Sequence, residues 1–97
     1  MKTQIFNAAS LTGAQLARAA RDIAQGAVAV FPTDTVYGIG TYAFNEESIS
    51  RIYALKNRPS GSALQILTGT VEQAKAITQW GPQAQKLAQA FWPGALT

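Results

Sequence analysis

The chain contains no cysteine and no histidine. Without cysteine there is neither a disulfide nor a thiolate nucleophile, and without histidine the usual general base and commonest zinc ligand are gone. Any chemistry must therefore run on carboxylates, lysine, arginine, hydroxyls, backbone groups or an exogenous metal. Charge is also scarce, with 13% charged residues and a net +3. That balance permits contact with phosphate or RNA without demanding it, because the basic residues are spread along the sequence. No apolar run approaches the length of a membrane span, and residues 1–10 lack the apolar centre of a signal peptide. The expected setting is the cytoplasm, with no membrane partner. Neither GxxxxGK[ST] nor GxGxxG occurs, so ordinary NTPase and dinucleotide-binding readings have no support.

What the chain does have is an apolar fraction of 47% over 97 residues, enough for one folded domain with an adequate but not generous core. No repeat, low-complexity tract or linker-like stretch marks a boundary, so residues 1–97 read as a single domain. Thr12 and Gln15 form a capping box, with Leu11 and Leu16 as its hydrophobic staple. Leu16, Ala19, Ala20, Ile23 and Ala27 then follow helical spacing, and Gly26 is a natural stop. Residues 27–31 read as a continuous apolar strand buried on both faces. A second extended piece is expected over 36–42.

Asn45 caps a further helix, with Glu46 and Glu47 favourably placed at its positive end. Phe44 and Ile49 are expected to staple its start, and Ile49, Ile52, Tyr53 and Leu55 to supply its apolar side. A strand is expected over 63–67. Thr70 and Gln73 make a second capping box, opening a helix through about residue 79 with Val71, Ala74 and Ile77 inward. Gly81 and Pro82 start a last helix carrying Ala84, Leu87, Ala88 and Phe91 on one face, and Pro93 and Gly94 end it. Helices and strands in this order indicate an α/β fold, an open twisted mixed sheet with flanking helices.

The most informative segment is FPTDTVYGIG at 31–40. It starts apolar, turns at Pro32, shows Thr33, Asp34 and Thr35 side by side, and resumes as a glycine-spaced apolar run. Polar residues at the mouth of a strand suit a site that orients a small polar ligand. An ordinary polar turn, with Thr33 and Asp34 satisfying backbone groups, is the alternative. Hydroxyls donate and accept, Asp34 adds a carboxylate, and Tyr37 adds an aromatic wall with a polar tip; such a set can bind an amino acid. Downstream, KNRP at 56–59 places Lys56 and Arg58 two residues apart before a stiffening proline. Lysine suits a point contact to phosphate oxygens and arginine can grip two at once. Alone, the same pair also suits a solvated helix end. Phe91 and Trp92 in FWPGALT at 91–97 read equally well as helix termination with aromatic anchors.

Together, FPTDTVYG, KNRP and FWPGALT resemble the YrdC/Sua5 family, the threonylcarbamoyl-AMP synthases, over most of the chain from Ala27 onward. The resemblance implies a YrdC-like fold and an L-threonylcarbamoyladenylate synthase. Such an enzyme is a nucleotidyltransferase that joins L-threonine, bicarbonate and ATP and releases pyrophosphate. Its product supplies the transferase machinery that makes threonylcarbamoyladenosine in tRNA. Thr33, Thr35 and Tyr37 would bind threonine; Lys56 and Arg58 would hold the ATP phosphates and neutralise charge, with Ser62 a further ATP contact. Magnesium would accompany ATP. Ala63 stands where many members have proline and Leu67 where some have histidine.

Members of the family continue well past the WPG-x-LT segment to a Ser/Thr-x-Asn element that completes the nucleotide site. The chain is accordingly expected to be a C-terminally truncated portion, whose terminal carboxylate at Thr97 weakens nucleotide binding. The alternative function is a non-catalytic module of the same fold that binds double-stranded RNA or tRNA. It would require basic residues gathered on one face, and Arg18, Arg21, Lys75 and Lys86 do not obviously converge. A carbamoyl-transfer domain of a hydrogenase-maturation protein is a third reading, disfavoured by the lack of flanking zinc-binding or acylphosphatase-like segments.

Overall fold

A computed structural model describes residues 2–97 of the chain, which fall into two compact units, one up to Ser62 and the other Ala63–Thr97. The first unit opens with a short 3₁₀ turn at Ala8–Ser10 and helix α1 at Gly13–Ala24. The expected capping box forms: Gln15 N donates to Thr12 Oγ1 at 3.1 Å and Thr12 N to Gln15 Oε1 at 3.0 Å. Gly26, at φ +99°, ends the helix. Its N–H donates to Ile23 O and the Ala27 N–H to Asp22 O, both at 2.9 Å, which is the paired bonding of a Schellman stop. The expected apolar stripe is only partly covered. Ala19 and Ile23 are half-buried, whereas Leu16 is 58% exposed, so the proposed Leu11–Leu16 staple leaves Leu16 in solvent.

Strands β1 (Ala29–Phe31) and β2 (Gly38–Gly40) pair antiparallel, with Val30 opposite Ile39. A strand buried on both faces was expected over 27–31; the observed strand is shorter and Val30 is 67% exposed. Burial on a second face needs another layer, and a pair of three-residue strands does not provide one. The glycine spacing of β2 has a local cause. A Cβ at Gly38 would lie 3.0 Å from Phe31 Cε2 and one at Gly40 3.1 Å from Phe31 Cε1, so the two glycines leave room for the Phe31 ring across the strand pair.

Helix α2 (Glu46–Leu55) packs on β2. Asn45 Oδ1 accepts the Ser48 N–H at 3.0 Å, as its cap assignment requires. Ser48 is fully buried: its hydroxyl lies 2.9 Å from that of Thr41 and 3.0 Å from Asn45 O, while Thr41 Oγ1 reaches Ala27 O at 2.8 Å. Arg51 also donates to Gly26 O. This polar cluster ties the end of α1 to the start of α2, and Ile52 at 3% exposure is the buried hydrophobe beside it. Phe44 does not staple the helix; it is 66% exposed and meets Tyr42 edge-on at 5.7 Å.

In the second unit, residues 63–67 form no strand, contrary to expectation. An extended run becomes a strand only by pairing, and Ile66 and Leu67 remain 55% and 76% exposed. The sheet among the described residues is thus two-stranded and antiparallel rather than mixed. Helix α3 covers Val71–Ile77, two residues shorter than expected. Its cap differs by one position: Thr70 Oγ1 accepts from Gln73 N at 3.1 Å, but Gln73 Oε1 accepts from Gly69 N at 2.8 Å, not from Thr70 N. Helix α4 (Pro82–Phe91) starts at its proline as expected and ends before a cis Trp92–Pro93 peptide. Ala74 and Ala88 are buried, while Leu87 and Phe91 stay 50% and 57% exposed. Among the described residues no helix is long and apolar enough to cross a membrane.

Candidate functional site

The polar run of FPTDTVYG is the connection from β1 to β2, and every residue from Pro32 to Tyr37 in it is exposed. Thr33 shapes this connection: its hydroxyl donates to Val36 O, and Thr35 N donates back to Thr33 Oγ1 at 3.3 Å. The Thr33 proton is therefore committed to the turn, leaving its oxygen as an acceptor only. The hydroxyls of Thr35 and Tyr37 and the carboxylate of Asp34 take no part in the hydrogen bonds that hold this loop. Tyr37 is 74% exposed, so its ring and phenol lie in solvent rather than in the core.

KNRP is the end of α2 and the loop behind it. Lys56 is the C-cap, and Asn57 adopts a left-handed φ of 51°. Asn57 N donates to Ala54 O at 3.3 Å and Arg58 N to Tyr53 O at 3.0 Å, the same paired bonding that Gly26 provides after α1. Asparagine is among the few residues that tolerate this conformation, which accounts for its place between the two cations. Pro59 to Ser62 then form a turn, with Ser62 N donating to Pro59 O at 3.0 Å. Tyr53 reaches over from α2, its phenol donating to Ser62 O at 2.6 Å.

Consequently the Ser62 amide and carbonyl are both engaged within the protein. The stretch from Ser60 to Ser62 is thus closed by its own turn and tied to the helix by Tyr53. Lys56 is exposed and Arg58 half-buried. The sequence reading of this segment named its cations but missed Asn57 and Tyr53. An asparagine followed by a proline two residues later was the available signal for the helix stop.

Both loops belong to the first unit, and the bonds of Thr33 and Thr35 stay within their own loop. In the second unit the FWPGALT segment lines an apolar hollow of about 160 Å³ with Trp80, Ala84, Leu87 and Ala88. Trp80 and Trp92 face each other there at 6.0 Å; Trp80 Nε1 donates to Gln85 Oε1 at 2.8 Å and Trp92 Nε1 to Leu96 O at 3.0 Å. Phe91, for which an anchoring role was an option, lies 57% exposed.

The sequence profile of the Sua5/YciO/YrdC family, described as "Telomere recombination", matches residues 21–97, which include both loops and the tryptophan hollow. The chain belongs to this family. Curated Sua5/YciO/YrdC relatives include the threonylcarbamoyl-AMP synthase of Bacillus subtilis, 40% identical over 84 residues, or 86% of this chain and 24% of the relative. That of Pyrococcus abyssi is 41% identical over 80 residues, covering 81% of this chain and 24% of the relative. The threonylcarbamoyl-AMP synthase of Pseudomonas entomophila is 35% identical over 81 residues, 82% of this chain and 44% of the relative. The chain thus spans about a quarter of the length of the first two. No solved structure matches it. Within the family match, the profile begins inside α1, so the capping box at Thr12 lies outside the matched residues and both candidate loops inside them.

Proposed function

We propose that this chain carries the threonine- and triphosphate-holding loops of an L-threonylcarbamoyladenylate synthase acting in tRNA threonylcarbamoyladenosine formation. The observation that carries the reading is the pairing of two unlike loops in one unit whose sequence matches synthases of that name. One loop exposes Thr35 and Tyr37; the other is a stopped helix end bearing Lys56 and Arg58. Thr35 and Tyr37 take the amino acid, with Thr33 accepting a further bond. Lys56, Arg58 and the Ser62 hydroxyl take the phosphates.

In the reaction, an oxygen of N-carboxylated threonine attacks the α-phosphorus of ATP. A new P–O bond forms as the bond to the β-phosphate bridge breaks, and pyrophosphate leaves with the electron pair. The side chains align the reactants and balance charge, which needs neither cysteine nor histidine. Among the described residues no three acidic or other metal-ligating side chains gather, and Asp34 is the one carboxylate in the two loops. That donor set fits magnesium carried by the ATP phosphates rather than a protein cage. Bound there, the ion would neutralise phosphate charge. The RNA-binding alternative has no observation in its favour: Arg51 is turned to Gly26 O, and Lys75 lies 5.7 Å from the centre of the Trp80 ring.

Calorimetric titration with ATP and with threonine tests the assignment, alongside threonine- and bicarbonate-dependent pyrophosphate release. Lys56→Ala and Arg58→Ala are each expected to weaken ATP binding at least about tenfold, the loss of one charge-assisted contact. Threonine binding should be unchanged in both. Unaltered ATP affinity in both variants would remove the phosphates from this loop.

A further inference from the structure

Tyr53 grips the KNRPSGS loop at both ends. Its main-chain carbonyl accepts the Arg58 N–H at 3.0 Å, and its phenol donates to Ser62 O at 2.6 Å. Between those two bonds lie Arg58 and the turn closed by Ser62 N to Pro59 O. The phenol bond spans nine residues and is part-buried, so it joins the loop to the body of α2 rather than to its own turn.

We infer that Tyr53 is the positioning residue of the phosphate-holding loop. Its ring acts as a strap that fixes Arg58 and Ser62 relative to the helix end before any nucleotide arrives. This rests on the reading of Lys56 and Arg58 given above. The physical reason is preorganisation: a loop already held in its binding geometry loses less freedom when phosphate binds, and its cations meet the charge without rearrangement. Asn57 anchors the start of the same loop through its left-handed backbone and its bond to Ala54 O.

The test is Tyr53→Phe in the whole chain, which keeps the ring and removes the one donor. ATP affinity is expected to fall five- to tenfold while threonine affinity holds, and amide exchange at residues 60–62 should speed up with the rest of α2 still protected. Asn57→Gly and Asn57→Ala provide an independent route should the phenylalanine variant fold poorly. Glycine accepts the positive φ and should keep ATP affinity, whereas alanine resists it and should lower it. If Lys56→Ala weakens ATP binding but Tyr53→Phe and Asn57→Ala do not, the strap is refuted and the phosphate loop stands. Should Lys56→Ala and Arg58→Ala leave ATP binding intact, the phosphate loop and the strap fall together.

Discussion

Replacing Gly26 by alanine should destabilise the first unit far more than one methyl group suggests. Two costs combine. Alanine at φ +99° occupies backbone space that side-chain-bearing residues avoid, at about 1–2 kcal/mol. The added Cβ would also stand 2.7 Å from Asn45 Nδ2, closer than real contacts allow. Asn45 cannot swing aside freely, because its Oδ1 holds the Ser48 N–H as the cap of α2. Displacing that cap forfeits about 1 kcal/mol more. The sum is about 2–3 kcal/mol, or a shift of roughly thirty- to 150-fold in the folding equilibrium. For a chain of this size the total is on the order of 5–15 kcal/mol, so the effect is large.

Urea unfolding followed by far-UV circular dichroism measures it. Gly13→Ala is the matched control: it makes the same chemical change at the first residue of α1, where nothing lies within 4 Å of the new Cβ. It should leave stability unchanged or raise it by up to about 1 kcal/mol. Asn45→Ala alone should cost about 1 kcal/mol, and in the double variant with Gly26→Ala the clash is gone, so the two costs should sum to less than their separate values. Gly26→Ala within about 0.5 kcal/mol of the parent, or strict additivity in the double variant, would refute the coupling between the end of α1 and the cap of α2.

Two further outcomes are expected. Thr35→Val should weaken threonine binding by about 1–3 kcal/mol while leaving ATP affinity alone, and equal threonine titration curves for variant and parent would move the amino-acid site elsewhere. Gln85→Leu removes the acceptor of the half-buried Trp80 indole N–H, so unfolding followed by tryptophan emission should show a loss of about 1 kcal/mol; an unchanged midpoint would mean that the indole finds another partner at no cost.

The parts of the fold legible in the sequence are those fixed by neighbours within a few residues. Thr12 with Gln15, Gly26, Asn45 and Pro82 each act through bonds or dihedrals inside one turn, and each appears where its type and spacing placed it. The second capping box shows the limit of such reading. Spacing pairs Thr70 with Gln73, yet whether the glutamine oxygen meets the amide of residue 69 or 70 turns on backbone geometry that spacing does not encode. Strand readings fared worse because strands are made by partners. Residues 27–31 and 63–67 have similar apolar character, but only the first run finds a pairing strand, and even there Val30 is left exposed.

The candidate site divides along the same line. The residue types of both loops were readable, but which atoms remain available was not. Thr33 shares its type with Thr35 and sits two residues away, yet its hydroxyl closes the turn while that of Thr35 does not. Likewise Gly38 and Gly40, read within a ligand motif, are required by the Phe31 ring lying across them. Asn57, between two conspicuous cations, is explained by the helix stop, a role that depends on the helix ending there and nowhere earlier.

On the proposed function the two loops solve different problems, and their construction follows. A triphosphate presents several charges to be met at once, and a cation that must first be moved into place loses much of its effect to reorganisation. The loop assigned to it has its Asn57, Arg58 and Ser62 amides bonded to the protein, and Tyr53 closes it from the side. Threonine is small and neutral overall, and distinguishing it depends on a few directional hydrogen bonds that must close around it. The loop assigned to it holds itself by Thr33 alone and leaves Thr35 and Tyr37 in solvent. Ordering that loop is then part of binding threonine, and its cost is repaid only by a ligand that satisfies both the hydroxyl and the phenol. On that proposal, an enzyme with no histidine or cysteine in these loops would gain rate by alignment, from one fixed set of charges and one loop ordered by the correct amino acid.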